Sequence, residues 1–409
     1  MKSSRISDYK INVKNYKVVK ELNRGGFGIV YKIKNRSTNQ IYAAKVLLSG
    51  NSESMKQMID REVNIMIRID HPTVIRFHGF SLTDFSNNKN VTIIMDFADK
   101  GSLADILDLI DKGLTPEGYD NTTRQIILIG ISYGMMHIHN CKAIHRDLKP
   151  GNILIDKNFH PHISDFGLSK FTKAGHSKDM SRFGGTPEYM APEIISSKPY
   201  NEKVDVYAFG IIMFQVVTDC MPYPLFESGK MALYQFHQKV VEQEYRPSFE
   251  DCFPVNPALK ELIQQCWSAK PEDRPSFEEI FNRLAYNQQF SIFGAYTSEE
   301  FEDNEADNNY YLSDVNLDAV FDYINEITKS KEKRYIDELE KKISKNEKII
   351  SEQGQQIKEL KDQIQQIIKK NQEQSEQIRN LNEQIKKQKE SSLVKDNKHS
   401  DEDISTNIL

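Results

Sequence analysis

The distribution of proline and aromatic residues divides the 409-residue chain into two parts of different character. All 14 prolines lie at or before Pro275, and the last aromatic residue is Tyr335. Because proline marks turns and aromatic side chains fill cores, we expect a packed globular part that ends soon after Pro275. The chain length itself predicts two or three folded units.

Isoleucine recurs at seven-residue intervals between residues 331 and 390. The a positions of this heptad are Ile336, Ile343, Ile350, Ile357, Ile364, Asn371, Ile378 and Ile385. The d positions are Leu339, Asn346, Gln353, Leu360, Ile367, Gln374, Leu381 and Gln388. This register predicts a coiled coil, whereas a disordered Lys/Glu/Gln tract would show none. β-branched a positions with a single Asn371 favour two parallel strands, and the polar d positions weaken the seam. We expect a parallel homodimer or a heterotypic partner through residues 331–390, followed by a disordered tail over 391–409.

The residues between these two parts are acidic. Residues 284–328 contain no Lys or Arg and ten Asp or Glu, which predicts a solvated linker over 286–330 that is flexible in its middle. One patch within it has helical spacing after Asn316 as a possible cap; it consists of Leu317, Val320, Phe321 and Ile324. This pattern fits a docking helix or a single helical turn equally well.

Composition excludes several classes of protein. The formal net charge of -5 gives no reason to expect binding to nucleic acid or to an anionic membrane. The four cysteines contain no CxxC pair, which argues against a disulfide scaffold or a zinc module. The first ten residues contain no apolar stretch, and the most apolar helix-length run, residues 208–217, is far too short to span a membrane. We expect an intracellular, most simply a cytoplasmic, protein.

A glycine-rich turn joins two predicted strands within residues 16–46. Glycines let a backbone approach phosphate oxygens closely, but three glycines are equally compatible with an ordinary hairpin turn. Lys45 lies inside the apolar second strand, where a charge needs a partner. Glu62, on the predicted helix over residues 55–69, is a candidate partner, although a single helical Glu is more often a surface residue.

Three further motifs follow in order. Residues 145–152 read His-Arg-Asp-Leu-Lys-Pro-Gly-Asn, residues 165–167 read Asp-Phe-Gly, and residues 191–193 read Ala-Pro-Glu. With the glycine-rich turn and the strand lysine, this set resembles a eukaryotic protein kinase over about residues 16–285. The resemblance implies an α+β, two-lobed kinase fold with a small β-rich N-lobe and a larger helical C-lobe. An N-terminal tail over 1–15 and the C-terminal parallel coiled-coil helix would flank it.

The resemblance also implies roles for individual residues. Lys45 would hold the α- and β-phosphates of ATP and be oriented by Glu62, while Asp147 would accept the proton of the attacking hydroxyl and Lys149 would neutralise charge on the γ-phosphate. Asn152 and Asp165 would bind Mg²⁺, with Mn²⁺ as a possible substitute. Residues expected around the nucleotide are Leu22, Asn23, Arg24, Gly25, Gly26, Phe27, Gly28, Val30, Ala43, Met95, Asp96, Ala98 and Leu154.

Structural positions of the family can be assigned in the same way. The resemblance implies a hydrophobic spine of Met66, Phe77, His145 and Phe166 anchored by Asp205, and a buried pair of Glu193 with Arg274. The chain departs from the family pattern at Asn23, which replaces the first loop glycine. Because Asn tolerates positive φ better than other side chains, we expect the turn to survive.

Lys149 and Thr186 suggest specificity for serine and threonine hydroxyls, as in serine/threonine kinases. Thr186 would contact Asp147 and Lys149. Residues 205–210, 266–267 and 274–277 resemble the tyrosine-kinase-like group, which is mostly Ser/Thr-specific. Protein substrates are implied, and four hydroxyls between the second and third motifs are candidate phosphorylation sites: Thr172, Ser177, Ser181 and Thr186. A catalytically silent pseudokinase or coiled-coil scaffold is the alternative, although none of Lys45, Asp147 and Asp165 is missing.

Overall fold

The computed structural model describes residues 6–25, 28–48, 62–171, 185–250, 252, 255–292 and 315–402. The chain divides into two units, Met1–Lys331 and Glu332–Leu409. No helix among the described residues is long and apolar enough to cross a membrane.

A five-stranded antiparallel sheet forms the first lobe of the larger unit, with strand order β1-β2-β3-β5-β4. The strands are β1 Tyr16–Gly25, β2 Gly28–Asn35, β3 Ile41–Leu47, β4 Phe77–Ser81 and β5 Val91–Asp96. One face of the sheet buries a small cluster of Ile33, Ala44 and Ile94. The other face belongs to the main core, together with helix α1, whose described part covers residues 62–68.

The predicted N-terminal tail is part of this lobe from residue 6 onward. The Ile11 amide donates a hydrogen bond to the Phe80 carbonyl at 2.9 Å, and the Tyr9 ring lies 5.6 Å from that of Phe77. Residues 6–15 thereby cover the edge strand β4, which would otherwise expose unpaired backbone groups.

Helices dominate the second lobe. They are α2 Leu103–Asp111, α3 Asn121–Asn140, α4 Pro192–Ile195, α5 Lys203–Thr218, α6 Pro224–Glu227, α7 Leu233–Glu242, α8 Pro257–Cys266 and α9 Phe277–Tyr286. Ser102, Asp120 and Ser276 begin α2, α3 and α9 with reciprocal capping boxes. Helix α5 is apolar on all sides, and only Lys203 and Gln215 are not buried, so it forms the centre of the lobe.

Two short strand pairs lie between α3 and α4 and carry the loops of the candidate site. Strand β6 (Ala143–Ile144) pairs with β9 (Lys170–Phe171), and β7 (Ile153–Ile155) pairs with β8 (Pro161–Ile163) in a hairpin. The loop between β6 and β7 contains the His-Arg-Asp motif, and the loop between β8 and β9 contains Asp-Phe-Gly.

Helix α10 (Leu317–Glu402) begins within the first unit. Val315, Val320, Tyr323, Ile324 and Ile327 are buried there, so the acidic region ends in a docking helix rather than in a single turn. The linker predicted over 286–330 therefore extends too far at both ends. Residues 288–290 form a short 3-10 helix followed by the buried Ile292, and residues 315–329 include the buried start of α10. Residues 293–314 lie outside the described part.

The heptad residues lie on the part of α10 that belongs to the second unit. The described a-position isoleucines are exposed on this single helix, as in Ile350 at 67%. The heptad pattern predicts a helical conformation for this segment, and the structure has one. The pairing of this helix with a second helix stays a prediction.

Cys220 and Cys252 form one disulfide with a Cα–Cα distance of 6.4 Å; a single pair is not the disulfide scaffold that the cysteine pattern argued against. The two residues are 32 positions apart, one just after α5 and the other shortly before α8. Sequence spacing carries no information about this contact, because only the packing of the lobe creates it. Cys141 and Cys266 are free thiols.

Candidate active site

Lys45 lies at the centre of a buried charge cluster. It pairs in register with Val30 on β2 and Ile93 on β5, which places it in the middle of the sheet. Its Nζ atom lies 3.1 Å from Glu62 Oε1 on α1 and 2.7 Å from Asp165 Oδ1 in the Asp-Phe-Gly loop. The partner that this strand lysine requires is therefore Glu62, as predicted from the sequence, and Asp165 is a second one.

The opposite charges within this cluster keep Lys45 and Asp165 ionised. Burial alone would lower the pKa of Lys45, but the charges of Glu62 and Asp165 outweigh it and raise that pKa above its usual value. Burial would raise the pKa of Asp165, yet the charge and the hydrogen bond of Lys45 lower it instead. Burial raises the pKa of Glu62 against the opposing charge of Lys45. Asp165 is thus an ionised carboxylate at neutral pH.

Asp205 of α5 anchors the loop between β6 and β7 through hydrogen bonds to the loop backbone. The backbone amides of His145 and Arg146 each donate to an Asp205 carboxylate oxygen at 2.8 Å. His139 on α3 lies 2.9 Å from the same carboxylate through its Nε2 atom. Burial would raise the pKa of Asp205, but these hydrogen bonds and His139 lower it, so the anchor remains charged.

Asp147 projects from this anchored loop and is oriented by two side chains. Asn152 Nδ2 donates to Asp147 Oδ2 at 2.9 Å and to the Asp147 carbonyl at 2.6 Å. Lys149 Nζ lies 3.1 Å from the same Oδ2 and donates to Thr186 Oγ1 at 2.8 Å. The structure thus brings Asp147, Lys149, Asn152 and Thr186 into one network, including the predicted contact of Thr186 with Lys149.

Asn152 and Asp165 present oxygen atoms suited to a hard cation. Asn152 uses its amide nitrogen for both hydrogen bonds to Asp147, so its Oδ1 atom is the one that can bind a metal. The Asn152 carbonyl accepts hydrogen bonds from the Ser164 amide at 2.8 Å and the Ser164 hydroxyl at 2.9 Å. Ser164 thereby ties the residue before Asp165 to Asn152, a contact that no sequence motif signals.

The Asp-Phe-Gly loop has an unusual backbone. Asp165 has a φ of 62°, and Phe166 is fully buried with its ring 5.2 Å from that of His145. Met66 belongs to the same core and Phe77 packs against it. His145 contacts this core through the ring of Phe166, and the stacking of all four predicted residues into one spine stays a prediction.

The residues predicted around the nucleotide differ in their exposure to solvent. Ala43, Met95 and Ala98 are buried, and Ala43 pairs with Met95 across β3 and β5. Val30 and Leu154 are half-buried, whereas Leu22 is 38% exposed. Asp96, half-buried, ends β5.

The glycine-rich turn follows the end of β1. Gly28 has a φ of 146°, and a Cβ atom there would collide with the Val46 carbonyl oxygen, so only glycine fits. Asn23 lies in β1 opposite Val30 and is not among the residues with positive φ, so its substitution for glycine needs no unusual conformation. Gly25 pairs with Gly28, and Arg24 is exposed and paired with Glu21. Gly26 and Phe27 lie outside the described residues, as do Thr172, Ser177 and Ser181.

Comparison with known proteins agrees with this geometry. A family model described as "Protein kinase domain" matches residues 16–284, about two thirds of the chain. The chain belongs to the protein kinase domain family. Its two lobes are those of the kinase fold, an antiparallel sheet and a helical lobe. The family match ends before the docked start of α10.

Several curated relatives resemble the kinase domain. The dual specificity protein kinase shkA of Dictyostelium discoideum is 34% identical over 267 residues, which cover 64% of this chain and 47% of the relative. A probable serine/threonine-protein kinase of the same organism is 33% identical over 279 residues, 68% of this chain and 28% of that protein. The probable serine/threonine-protein kinase SIS8 of Arabidopsis thaliana is 31% identical over 281 residues, 68% of this chain and 26% of that protein. The matched region spans less than half the length of each.

Proposed function

We propose that this protein is an active, metal-dependent serine/threonine protein kinase that transfers the γ-phosphoryl group of ATP to protein substrates. The observation that carries the proposal is the buried contact of Lys45 with both Glu62 and Asp165, because a kinase needs these three groups in place at once. A catalytically silent scaffold is not favoured, since the cluster is complete and Asp147 is oriented beside it.

Each residue of the site has a defined task in this proposal. Asn152 and Asp165 would hold Mg²⁺ or Mn²⁺, and Lys45 would hold the phosphates of ATP. The bound nucleotide and metal supply the phosphoryl group with its charge neutralised. Asp147 accepts the proton of the substrate hydroxyl, and Lys149, held by Asp147 and Thr186, neutralises charge on the γ-phosphate during transfer.

Specificity for serine and threonine is supported by Lys149 and its hydrogen bond to Thr186. We also place the kinase in the tyrosine-kinase-like group, on the residues that resemble it around Asp205, Trp267 and Arg274. The dual-specificity name of one relative makes additional tyrosine phosphorylation the second candidate. We also propose an intracellular, cytoplasmic signalling role for this kinase.

Replacing Lys45 with methionine should reduce phosphoryl transfer at least about a hundredfold, because a preorganised charge that positions the phosphates is removed. The measurement is transfer of labelled phosphate from ATP to a mixed peptide library by the full chain. Lys112→Met is the matched control, since Lys112 is an exposed lysine directly after α2 that forms an ion pair with Asp108. Equal transfer by wild type and Lys45→Met would refute the proposed use of this lysine.

We further propose that the heptad segment pairs two chains in parallel and so promotes phosphorylation of one kinase domain by the other. Two tethered domains meet at an effective concentration that reaches the millimolar range, far above that of a dilute enzyme. Arg146, next to Asp147, offers a cation to a phosphorylated residue of the segment that contains Thr172, Ser177 and Ser181. A heterotypic partner for the heptads is the alternative.

Removal of the heptads should therefore slow autophosphorylation. We expect the phosphatase-treated full chain to regain phosphate at least about tenfold faster than a 1–330 truncation at matched nanomolar concentration. Asn371→Ile is the companion variant, because it should strengthen the coil while blurring its oligomeric state. Sedimentation velocity measures the oligomeric state of the full chain, of the truncation and of Asn371→Ile. A monomeric full chain, or a truncation that autophosphorylates equally fast, would argue against self-pairing.

A further inference from the structure

The start of α10 packs on the helical lobe through one face. Val320, Tyr323, Ile324 and Ile327 are each under 5% exposed, whereas Phe321 on the other side is 44% exposed. The segment is anchored where it begins. The Asn316 amide donates to Thr122 Oγ1 at 2.9 Å, and Asn316 Oδ1 accepts from the Ala319 amide at 3.1 Å. We call residues 315–329 the docked segment.

Tyr323 of the docked segment touches the β7–β8 hairpin. Its ring lies 4.6 Å from the ring of His160, the residue immediately before β8. It also fits against α3 at Gly130, where an added Cβ would collide with Tyr323 Oη and lie 2.5 Å from Pro161 Cγ. The tyrosine therefore fills the wedge between α3 and the hairpin, with no space left for an additional carbon.

The hairpin that Tyr323 contacts connects the two candidate metal-binding residues. Asn152 immediately precedes β7, and Asp165 follows β8 after Ser164, which is hydrogen-bonded back to Asn152. At the closed end, Asp156 Oδ1 accepts from the backbone amide of His160 at 2.9 Å. Along its side, the Ile155 amide donates to the Gly101 carbonyl at 2.8 Å. A shift of His160 would thus be transmitted to both metal-binding residues.

We propose that the docked segment, through the ring of Tyr323, is a positioning element that holds the β7–β8 hairpin and with it the spacing of Asn152 and Asp165. Tyr323 touches neither nucleotide nor substrate in this role. The proposal rests on the proposed function, because it assigns those two residues to the metal. It makes a segment beyond the matched kinase domain part of the catalytic unit.

The contact with the hairpin at His160 is made by the ring of Tyr323, whereas its hydroxyl oxygen faces Gly130 of α3. Within the described part of the chain, the buried Oη atom has no hydrogen-bond partner. Burial, with the charges of Asp156 and Glu326, raises the pKa of Tyr323 well above its usual value, so the side chain is neutral. Removing an unpaired buried hydroxyl is neutral or slightly favourable. Tyr323→Phe therefore preserves the contact, and Tyr323→Ala removes it.

The experiment compares four forms of the full chain: wild type, Tyr323→Ala, Tyr323→Phe and Phe321→Ala, the last being the exposed neighbour. The first readout is hydrogen exchange of the Ile155, Ile163 and Ser164 amides, well below the unfolding temperature. The second is the Mg²⁺ concentration that gives half-maximal peptide phosphorylation. We expect Tyr323→Ala to exchange these amides at least tenfold faster and to need at least threefold more Mg²⁺, with the two other variants unchanged.

Faster exchange confined to residues 315–329, or an unchanged Mg²⁺ requirement in Tyr323→Ala, would overturn the proposal. The segment would then bury apolar surface of the helical lobe without positioning the hairpin. If Tyr323→Ala fails to fold, Ile327→Val provides a milder loosening of the same face, with smaller changes in the same direction. A wild-type chain that transfers no phosphate would refute the proposed function. The exchange measurement would still test the bracing of the hairpin.

Discussion

Replacing Asp147 with asparagine should lower the rate of phosphoryl transfer by about 10²–10⁴-fold while the chain stays folded. Asparagine matches the size of the side chain, and its carbonyl oxygen can still accept from Asn152 Nδ2 and Lys149 Nζ, which now meet Asp147 Oδ2. It cannot accept the proton of a substrate hydroxyl. The loss should therefore appear in kcat, with little change in the affinity for ATP.

Steady-state kinetics with one good peptide substrate measure this effect. Asp108→Asn is the matched control, because Asp108 is a largely exposed carboxylate of α2 that pairs with Lys112. Its rate should equal that of wild type. An Asp147→Asn enzyme that keeps more than about a tenth of the wild-type kcat would contradict the role of general base.

Removing Arg274 should destabilise the protein by about 3–5 kcal/mol, the cost of leaving a buried charge without its partner. Arg274 binds Glu193 through two parallel hydrogen bonds of 2.6 and 3.0 Å, and the two side chains are 0% and 8% exposed. The guanidinium also donates to the carbonyls of Ser268 and Lys203. Arg274→Ala breaks all of these contacts and leaves the Glu193 carboxylate buried.

Denaturant unfolding of the full chain measures the free energy of unfolding for this variant. Arg24→Ala is the control, because Arg24 and Glu21 form an ion pair of similar length that is exposed to solvent. We expect no measurable change for it. A loss below about 1 kcal/mol for Arg274→Ala would show that the buried pair does not hold the lobe together.

The residues of the candidate site could be picked out in the sequence because the chemistry proposed for them restricts their type and spacing. Lys45, Asp147 and Asp165 each stand in a short motif whose residue types phosphoryl transfer requires, and the structure brings all three to the same part of the molecule. The supporting contacts were not predictable. His139 with Asp205, and Ser164 with Asn152, join residues that are 66 and 12 positions apart, and neither His139 nor Ser164 belongs to a motif.

The docked segment shows a different limit of sequence reasoning. Two stripes with the same helical spacing overlap there, one through Leu317 and Phe321 and one through Tyr323 and Ile327, and both include Val320 and Ile324. Periodicity alone cannot choose between them, since each is a valid apolar face. The structure buries the second stripe, because the tyrosine fits the wedge at Gly130.

Identification of the phosphorylated amino acid tests the central claim most directly. The wild-type chain and Asp147→Asn would each be incubated with labelled ATP, Mg²⁺ and a peptide library containing serine, threonine and tyrosine, and the acid-hydrolysed peptides would be separated. We predict label on phosphoserine and phosphothreonine from the wild-type chain and almost none from Asp147→Asn. Label on phosphotyrosine alone, or equal label from both proteins, would contradict the assignment as a serine/threonine kinase.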